Sequence, residues 1–132
     1  MAFDLVIEID NEPGAMANVA KAISDAGVNI AAATCVGPSD RAQLHVLVPH
    51  AEAAKHVLAI TGLIVTSERE VVVVECQDRP GELADLAGLV AGAGINLDLI
   101  YVATRSRVVF GSDDIERLKE TLGELALPAQ RS

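Results

Sequence analysis

The sequence predicts an α+β fold of two βαββαβ modules that pair side by side through their sheets. Segments with strand-like alternation and segments with helical spacing follow one another in the same order in both halves. The stretch NEPGAMANVAKAISDAGVNI at 11–30 recurs as DRPGELADLAGLVAGAGINL at 78–97, a constant offset of 67 residues. A length of 132 residues suffices for two small domains, which we place at 1–67 and 70–132.

The first module opens with a strand, because Phe3, Leu5 and Ile7 alternate with the residues of the opposite face. A Pro-Gly pair precedes the first helix and a glycine follows each helix, which are common start and stop signals. The predicted elements are a strand at 3–9, a helix between Gly14 and Gly27, strands at 28–36 and 42–48, a helix at 51–60 and a strand at 63–66.

The second module repeats this order and is joined to the first near SEREV at 67–71. Only ELAL, at 124–127, remains for its last strand. Each module is therefore predicted to be ferredoxin-like, with two helices on one face of an antiparallel sheet. The predicted elements are a strand at 71–76, a helix at 82–91, strands at 95–103 and 107–110, a helix at 113–122 and the strand at 124–127.

The expected pairing of the modules follows from their size and their sheet faces. A module of roughly 65 residues hides only about 60% of the surface that its unfolded chain exposes. The outward faces of the predicted sheets also carry Val6, Leu47, Val73 and Val109, which is more apolar than a solvated face should be. We therefore expect a second chain to cover this face, giving a homodimer.

The composition excludes several classes of partner. Nineteen acidic residues against ten basic ones give a formal net charge of −9, which disfavours nucleic acid and anionic membranes. The N-terminal MAFDLVIEID has no secretory signal character, and no apolar run is long enough to cross a bilayer, so we expect a cytoplasmic protein. Cys35 and Cys76 are expected to be buried thiols.

Titratable residues do not indicate catalysis, a metal site or a cofactor. His50 and His56 are six residues apart, which does not place two metal ligands on one helical face. With His45 they are expected to be exposed surface histidines. Arg105 and Arg107 lie in the turn after the second strand of module two, where we expect a solvated hairpin, although they could steer an anion.

Both modules carry Pro-Gly directly before the first helix, at 13–14 and 80–81. The unpaired N–H groups of a helix start form an anion site that suits a carboxylate, and glycine lets a ligand approach the backbone. The alternative is that Pro-Gly only forms a tight entry to the helix. Asn29 and Asn96 open the second strand of each module, where an Asn could contact a ligand or close a turn.

The stretches IDNEPGAMANVAKAISDAGVNI and CQDRPGELADLAGLVAGAGINL resemble the opening of ACT domains, small amino-acid-sensing modules of many enzymes of amino-acid metabolism. The resemblance covers nearly the whole chain as two tandem domains. It implies amino-acid sites at the domain interface, held in serine-binding members by a loop Asn two residues before the Pro and by the Asn opening the partner's second strand. Asn11 matches the first position and Asp78 replaces it in domain two, while Asn29 and Asn96 match the second.

The resemblance implies two crossed sites, one combining the first loop with Asn96 and Leu97 and the other combining the second loop with Asn29 and Ile30. Because Asp78 replaces an amide and Arg79 replaces Glu12, the sites should differ, and ligand is expected at the first loop before the second. The predicted ligand-binding residues are Asp10, Asn11, Glu12, Pro13, Gly14, Ala15, Met16, Asn29, Ile30, Gln77, Asp78, Arg79, Pro80, Gly81, Glu82, Leu83, Asn96 and Leu97.

These patterns favour a non-catalytic sensor that binds a free amino acid and regulates a partner protein, for which an enzyme is one candidate. One alternative is an interaction or oligomerisation module without a ligand. A second alternative is an acylphosphatase-type enzyme, which has the same element order and needs an Arg in the first loop of the module. Arg79 lies there, but a Pro-Gly loop has the wrong shape for cradling a phosphate.

Overall fold

The computed structural model describes residues 2–126 and contains six strands and four α-helices in that range. The elements in chain order are β1 (Ala2–Asp10), α1 (Ala15–Asp25), β2 (Ala32–Val36), β3 (Arg41–Val48), α2 (Ala51–Ile60), β4 (Val65–Glu75), α3 (Glu82–Gly92), β5 (Leu99–Ala103), β6 (Arg107–Gly111), α4 (Ile115–Leu122) and a 3₁₀ turn (Gly123–Leu125). None of these helices has the length and apolar character needed to span a bilayer.

The strands form one antiparallel sheet in the order β2-β3-β1-β4-β6-β5. In the N-terminal half (residues 2–70), α1 and α2 cover one face of β1 and β3, and in the C-terminal half (residues 71–126), α3 and α4 cover the equivalent face of β4 and β6. The predicted α+β, ferredoxin-like architecture is therefore confirmed. The largest buried residues of the two cores are Leu5, Ile7, Ile23, Leu44 and Leu58 in the first and Phe110, Leu118 and Leu122 in the second.

The central strand β4 corrects the predicted break at SEREV. The sequence predicts two strands, at 63–66 and 71–76, but β4 runs without interruption through both. Its first part pairs with β1, from Val65 opposite Ile7 to Val71 opposite Ala2, and its second part pairs with β6. The charged residues look like a loop in the sequence, yet Glu68, Arg69 and Glu70 pair with Lys55, Asp98 and Lys119.

The second strand of each half is shorter than predicted. β2 begins at Ala32 rather than at 28, and β5 begins at Leu99 rather than at 95. The preceding residues connect each helix to its strand, and apolar side chains among them pack against the helix-facing cores, which explains their strand-like apolar content.

The last predicted strand, at 124–127, is not formed in the part of the chain that is described. Gly123–Leu125 is a 3₁₀ turn, and Ala126 makes a single antiparallel bridge with Val74, while Leu127 lies outside the described residues. Gly123 ends α4 with a positive φ of 36°, and the N–H of Ala126 then donates to its carbonyl. This tight turn uses residues that an extended strand would need.

The apolar faces that suggested a homodimer are buried inside the chain. Leu47, Val73 and Val109 belong to one cluster that joins the faces of the two halves opposite the helices. The end strands β2 and β5 also approach each other, and the backbone N–H and Oγ1 of Thr104 both donate to the carbonyl of Ala31 at 3.1 Å. The halves therefore pack face to face as well as through β4, so the apolar faces no longer indicate a second chain.

Candidate functional site

The repeated Pro-Gly loops have the same backbone geometry. Gly14 and Gly81 each have a φ of 90°, in the left-handed region that favours glycine, and each directly precedes a helix. Their carbonyls accept hydrogen bonds from Asn18 and Asp85, at 3.0 and 2.9 Å. The sequence repeat thus corresponds to two equivalent helix starts. At each start the N–H groups of the first helical turn have no partner within the helix.

The second loop forms one wall of a cavity of about 340 Å³ in the C-terminal half. The opposite wall is the hairpin that joins β5 to β6. Five of the predicted site residues line the cavity: Gln77, Asp78, Arg79, Glu82 and Leu83. The remaining lining comes from Cys76, Val102, Ala103, Ser106, Arg107 and Val108, of which only Arg107 was considered from the sequence, as a residue that could steer an anion.

Arg79 organises the second loop through its acidic neighbours. Its guanidinium lies 3.1 Å from Glu82 and 2.8 Å from Asp85, and hydrogen bonding to Asp85 is the main cause that raises its pKa. Glu82 also accepts a hydrogen bond from the backbone N–H of Gln77. The charge of Arg79 is therefore largely engaged within the loop and stabilises its shape.

Arg107 is a buried cation at the opposite wall. Its side chain donates to the carbonyl of Thr104 at 2.8 Å and to the Thr104 hydroxyl at 2.9 Å, and the residue is 3% exposed. Burial, with the nearby charge of Arg105, lowers the pKa of this guanidinium. The expected solvated hairpin is correct for Arg105 and wrong for Arg107, which shares a strand face with the buried Val109. This alternation is the sequence signal from which the burial of Arg107 could have been predicted.

The hairpin between these arginines has an unusual backbone. Arg105 and Ser106 have φ values of 61° and 54°, in the left-handed region that L-residues rarely adopt. Ala103 pairs with Arg107 across the hairpin, so Thr104, Arg105 and Ser106 form a three-residue connection, and the last two of these residues are left-handed. The carbonyl of Ser106 accepts a hydrogen bond from the N–H of Cys76 at 2.7 Å, which ties the hairpin to the start of the second loop.

Comparison with known protein families finds a match in the half of the chain that contains this cavity. Residues 71–126 match the family model of the ACT domain. The cavity lies within the matched residues, and its two walls are the loop before α3 and the hairpin between β5 and β6. A search of curated proteins finds no match.

Solved structures extend the likeness to nearly the whole chain. Protein BT0572 from Bacteroides thetaiotaomicron has a TM-score of 0.85 at 23% identity, over 96% of this chain and 92% of that one. The regulatory subunit of aspartate kinase from Thermus thermophilus, in its ligand-free form, has a TM-score of 0.65 at 20% identity, over 94% and 91%. The equivalent subunit from Thermus flavus has a TM-score of 0.60 at 22% identity, over 83% and 80%. At these identities the likeness concerns the fold.

The first Pro-Gly loop lies outside the residues that match the ACT-domain model, and its side chains make different contacts from those of the second loop. The side-chain amide of Asn11 donates to the carbonyls of Gly37 and Ser39, at 3.1 and 2.7 Å, and thus braces the turn between β2 and β3. A Cβ at Gly37 would lie 2.9 Å from this amide, so a larger residue there would displace the Asn11 side chain. A cavity of about 270 Å³ lies beside this loop and includes Asp10, Glu12 and Ala15 in its lining.

The predicted crossed partners are found outside these cavities. Asn29 and Asn96 are exposed, while Ile30 and Leu97 pack partly against the helix-facing cores. Among the described residues, the linings of the cavities at the two loops do not include the predicted site residues Asn11, Pro13, Gly14, Met16, Asn29, Ile30, Pro80, Gly81, Asn96 and Leu97.

The histidines separate into two environments. His50 and His56 are exposed, as expected, whereas His45 is half-buried with its Nδ1 2.9 Å from Asp4. The prediction of an exposed His45 is wrong because the strand face that carries it is covered by the other half. Within residues 2–126, no group of three or more His, Cys, Asp or Glu side chains has a geometry that could hold a metal ion.

Proposed function

We propose that this protein is a non-catalytic regulatory sensor that binds an amino acid and transmits its presence to a partner protein, for which an enzyme is one candidate. The observation that carries the proposal is the ACT-domain cavity between the second Pro-Gly loop and the β5–β6 hairpin. The likeness to regulatory subunits of aspartate kinase supports a regulatory role.

The N-terminal half is proposed to be a second ACT domain. It has the same order of elements, the same helix-covered antiparallel sheet and the same left-handed glycine before its first helix. The boundary between the domains predicted at 1–67 and 70–132 then falls within β4, which contributes a strand segment to both domains. This arrangement makes the interface between the domains part of one sheet.

The cavity chemistry suits a zwitterion with an aliphatic side chain. A carboxylate would meet the first-turn N–H groups of α3, where the helix dipole favours negative charge. Leu83, Val102 and Val108 supply apolar lining for a side chain, and Asp78 supplies a negative charge for the ammonium group. The second loop is thus the preferred site in this proposal, in place of the first loop that the sequence favoured, because the amide of Asn11 in the first loop already donates to the turn between β2 and β3.

A crossed contribution from Asn29 is retained as part of the proposal. The supporting observation is the link between Thr104, at the hairpin wall, and the carbonyl of Ala31, two residues after Asn29. Changing Asn29 and Asn96 separately to Ala tests the crossed geometry. Unchanged amino-acid affinity in both variants would contradict it without affecting the assignment of the cavity.

The sensor proposal is tested by a thermal-shift screen of the twenty amino acids. A ligand at about 100 times its Kd stabilises the folded state by about 2.7 kcal/mol, which raises the melting temperature by several degrees in a domain of this size. If no amino acid raises the melting temperature, the sensor proposal is refuted.

A matched pair of variants on α3 localises the binding. Leu83 and Leu89 are 46% and 47% exposed, but only Leu83 lines the cavity. Leu83→Gln should weaken binding about tenfold or more, because a polar amide replaces apolar contact, whereas Leu89→Gln should leave the affinity unchanged. Equal weakening by both would place the binding site elsewhere.

The alternative function, an interaction module without a ligand, is favoured by one observation. The C-terminal half exposes Leu83, Leu89, Ile100 and Val102, of which Leu83 and Val102 both line the cavity, and exposed apolar patches are common at protein interfaces. A negative amino-acid screen, together with a partner whose binding is lost in Val102→Asp, would support this alternative.

A further inference from the structure

Asp4 is a fully buried carboxylate between the two halves of the chain. It lies on the face of β1 opposite the helices, with a relative exposure of 0%. Its Oδ1 accepts a hydrogen bond from the hydroxyl of Tyr101 at 2.6 Å, and its Oδ2 lies 2.9 Å from Nδ1 of His45. Each carboxylate oxygen is therefore held by a different half, because His45 belongs to β3 and Tyr101 to β5.

The surface on which these residues lie is distinct from the two helix-facing cores. We call it the seam: the cluster of Ala2, Ala31, Ala32, Leu47, Val71, Val73, Tyr101, Ala103 and Val109. Alanine and valine dominate it, so the apolar surface that it buries is modest. Because each helix-facing core is formed within one half, opening the seam need not disrupt either core.

Other charged groups flank the carboxylate without replacing these contacts. Arg69 is the cross-strand neighbour of Asp4 on β4, but its guanidinium reaches Asp98 at 2.8 Å. Burial, followed by the hydrogen bond and charge of Asp4, raises the pKa of Tyr101, which keeps the phenol a neutral donor. His45 remains half-buried at the edge of the seam.

We propose that Asp4, His45 and Tyr101 form a latch that holds the seam closed, and that releasing the latch lets the two halves separate on that side while both helix-facing cores stay folded. A buried carboxylate that loses one of its partners is strongly unfavourable, whereas in water it is hydrated. Removing a latch contact therefore lowers the free energy of the open seam relative to that of the closed seam. The latch does not depend on the proposed amino-acid binding.

The latch lies beside the ACT-domain cavity. Tyr101 directly precedes Val102 and Ala103, which line that cavity, and Thr104 follows. The N–H of Thr104 donates to Ala31 across the seam, whereas the N–H of Cys76 donates to Ser106 within the C-terminal half. These two amides distinguish opening of the seam from unfolding of that half.

Hydrogen exchange in Tyr101→Phe tests the latch, because this change removes only the hydroxyl. A hydrogen bond to a charged group is strong enough to shift a local opening equilibrium about tenfold or more. We expect exchange at Thr104 to rise about tenfold or more relative to exchange at Cys76. A parallel rise at both amides would indicate general destabilisation, and no rise at Thr104 would show that the hydroxyl does not hold the seam; either result overturns the proposal.

A double-mutant cycle with Asp4→Asn assigns the effect to the pair. The amide retains an acceptor for Tyr101 but removes the charge, so the added effect of Tyr101→Phe on Thr104 exchange should be several-fold smaller in this background. Equal effects in both backgrounds would show that the hydroxyl acts independently of the carboxylate, contrary to the latch.

Discussion

The left-handed glycines that precede α1 and α3 allow a test in which backbone strain is isolated from steric contact. Gly14 and Gly81 have the same φ of 90°, and a Cβ at Gly14 would have no atom within 4 Å. Replacing Gly14 with Ala therefore introduces strain alone, which for a left-handed L-residue costs about 1–2 kcal/mol. At Gly81 the nearest atom is 3.7 Å from the Cβ, an ordinary contact, so the expected cost is the same.

Gly88, within α3, is the matched control. A Cβ there also meets nothing within 4 Å, and its backbone is helical rather than left-handed. Gly88→Ala should stabilise the protein by about 0.5–1 kcal/mol through the higher helix propensity of alanine. Gly14→Ala and Gly88→Ala thus each add one methyl group in open space, but the first should lower the stability and the second should raise it.

Denaturant unfolding with a common m-value measures these three changes directly. The expected result is a loss of stability of similar size in Gly14→Ala and Gly81→Ala and a gain in Gly88→Ala. A neutral Gly14→Ala would refute the strain argument, and so would destabilisation by Gly88→Ala. In the sensor proposal, amino-acid binding should be affected by Gly81→Ala and not by Gly14→Ala.

Three further outcomes are expected from the structure. Because the folded state raises the pKa of Tyr101, the only tyrosine, above that of the unfolded chain, the stability from its neutral phenol is complete below about pH 10 and is lost as the pH rises further. Ionisation of this phenol releases the latch, so phenolate absorbance in an alkaline titration should appear while helical circular dichroism is retained. The expectation of a buried thiol is wrong for Cys35, which is exposed, whereas burial and then Glu82 raise the pKa of Cys76. A thiol reagent at mildly alkaline pH should therefore modify Cys35 first, and a faster Cys76 would contradict the structure. Ser106→Gly should stabilise the protein by up to about 1 kcal/mol in thermal unfolding, by relieving the left-handed φ of the hairpin, and a lower melting temperature would contradict this reasoning.

The sequence repeat predicted most of the fold because its signals are local. Alternation in β1 and β3, helical spacing in α1 and α3, and glycines at the helix entries depend only on neighbouring residues. The continuity of β4 could not be predicted in the same way. Its charged centre is stable as a strand because distant partners, such as Lys119 for Glu70, neutralise it.

The lining of the candidate cavity could be predicted only in part, for a related reason. The second loop was found from its own residues, but the opposite wall of the cavity depends on which strands become neighbours. Arg107 illustrates the limit, because its alternation with Val109 indicates burial without indicating what buries it. The same alternation in Leu47 and Val73 suggested a second chain, whereas the other half of the same chain covers them.

Pairing of β4 with β1 on one part and with β6 on the other has a consequence for attempts to divide the protein. A cut between Glu70 and Val71 removes no loop, because these residues are consecutive in the strand. Each fragment would carry a truncated strand, an unpaired sheet edge and an uncovered apolar face, which are the features that promote aggregation. The smallest unit that can be produced as a well-behaved protein is therefore the pair of halves, even though the sequence reads as two copies of one pattern.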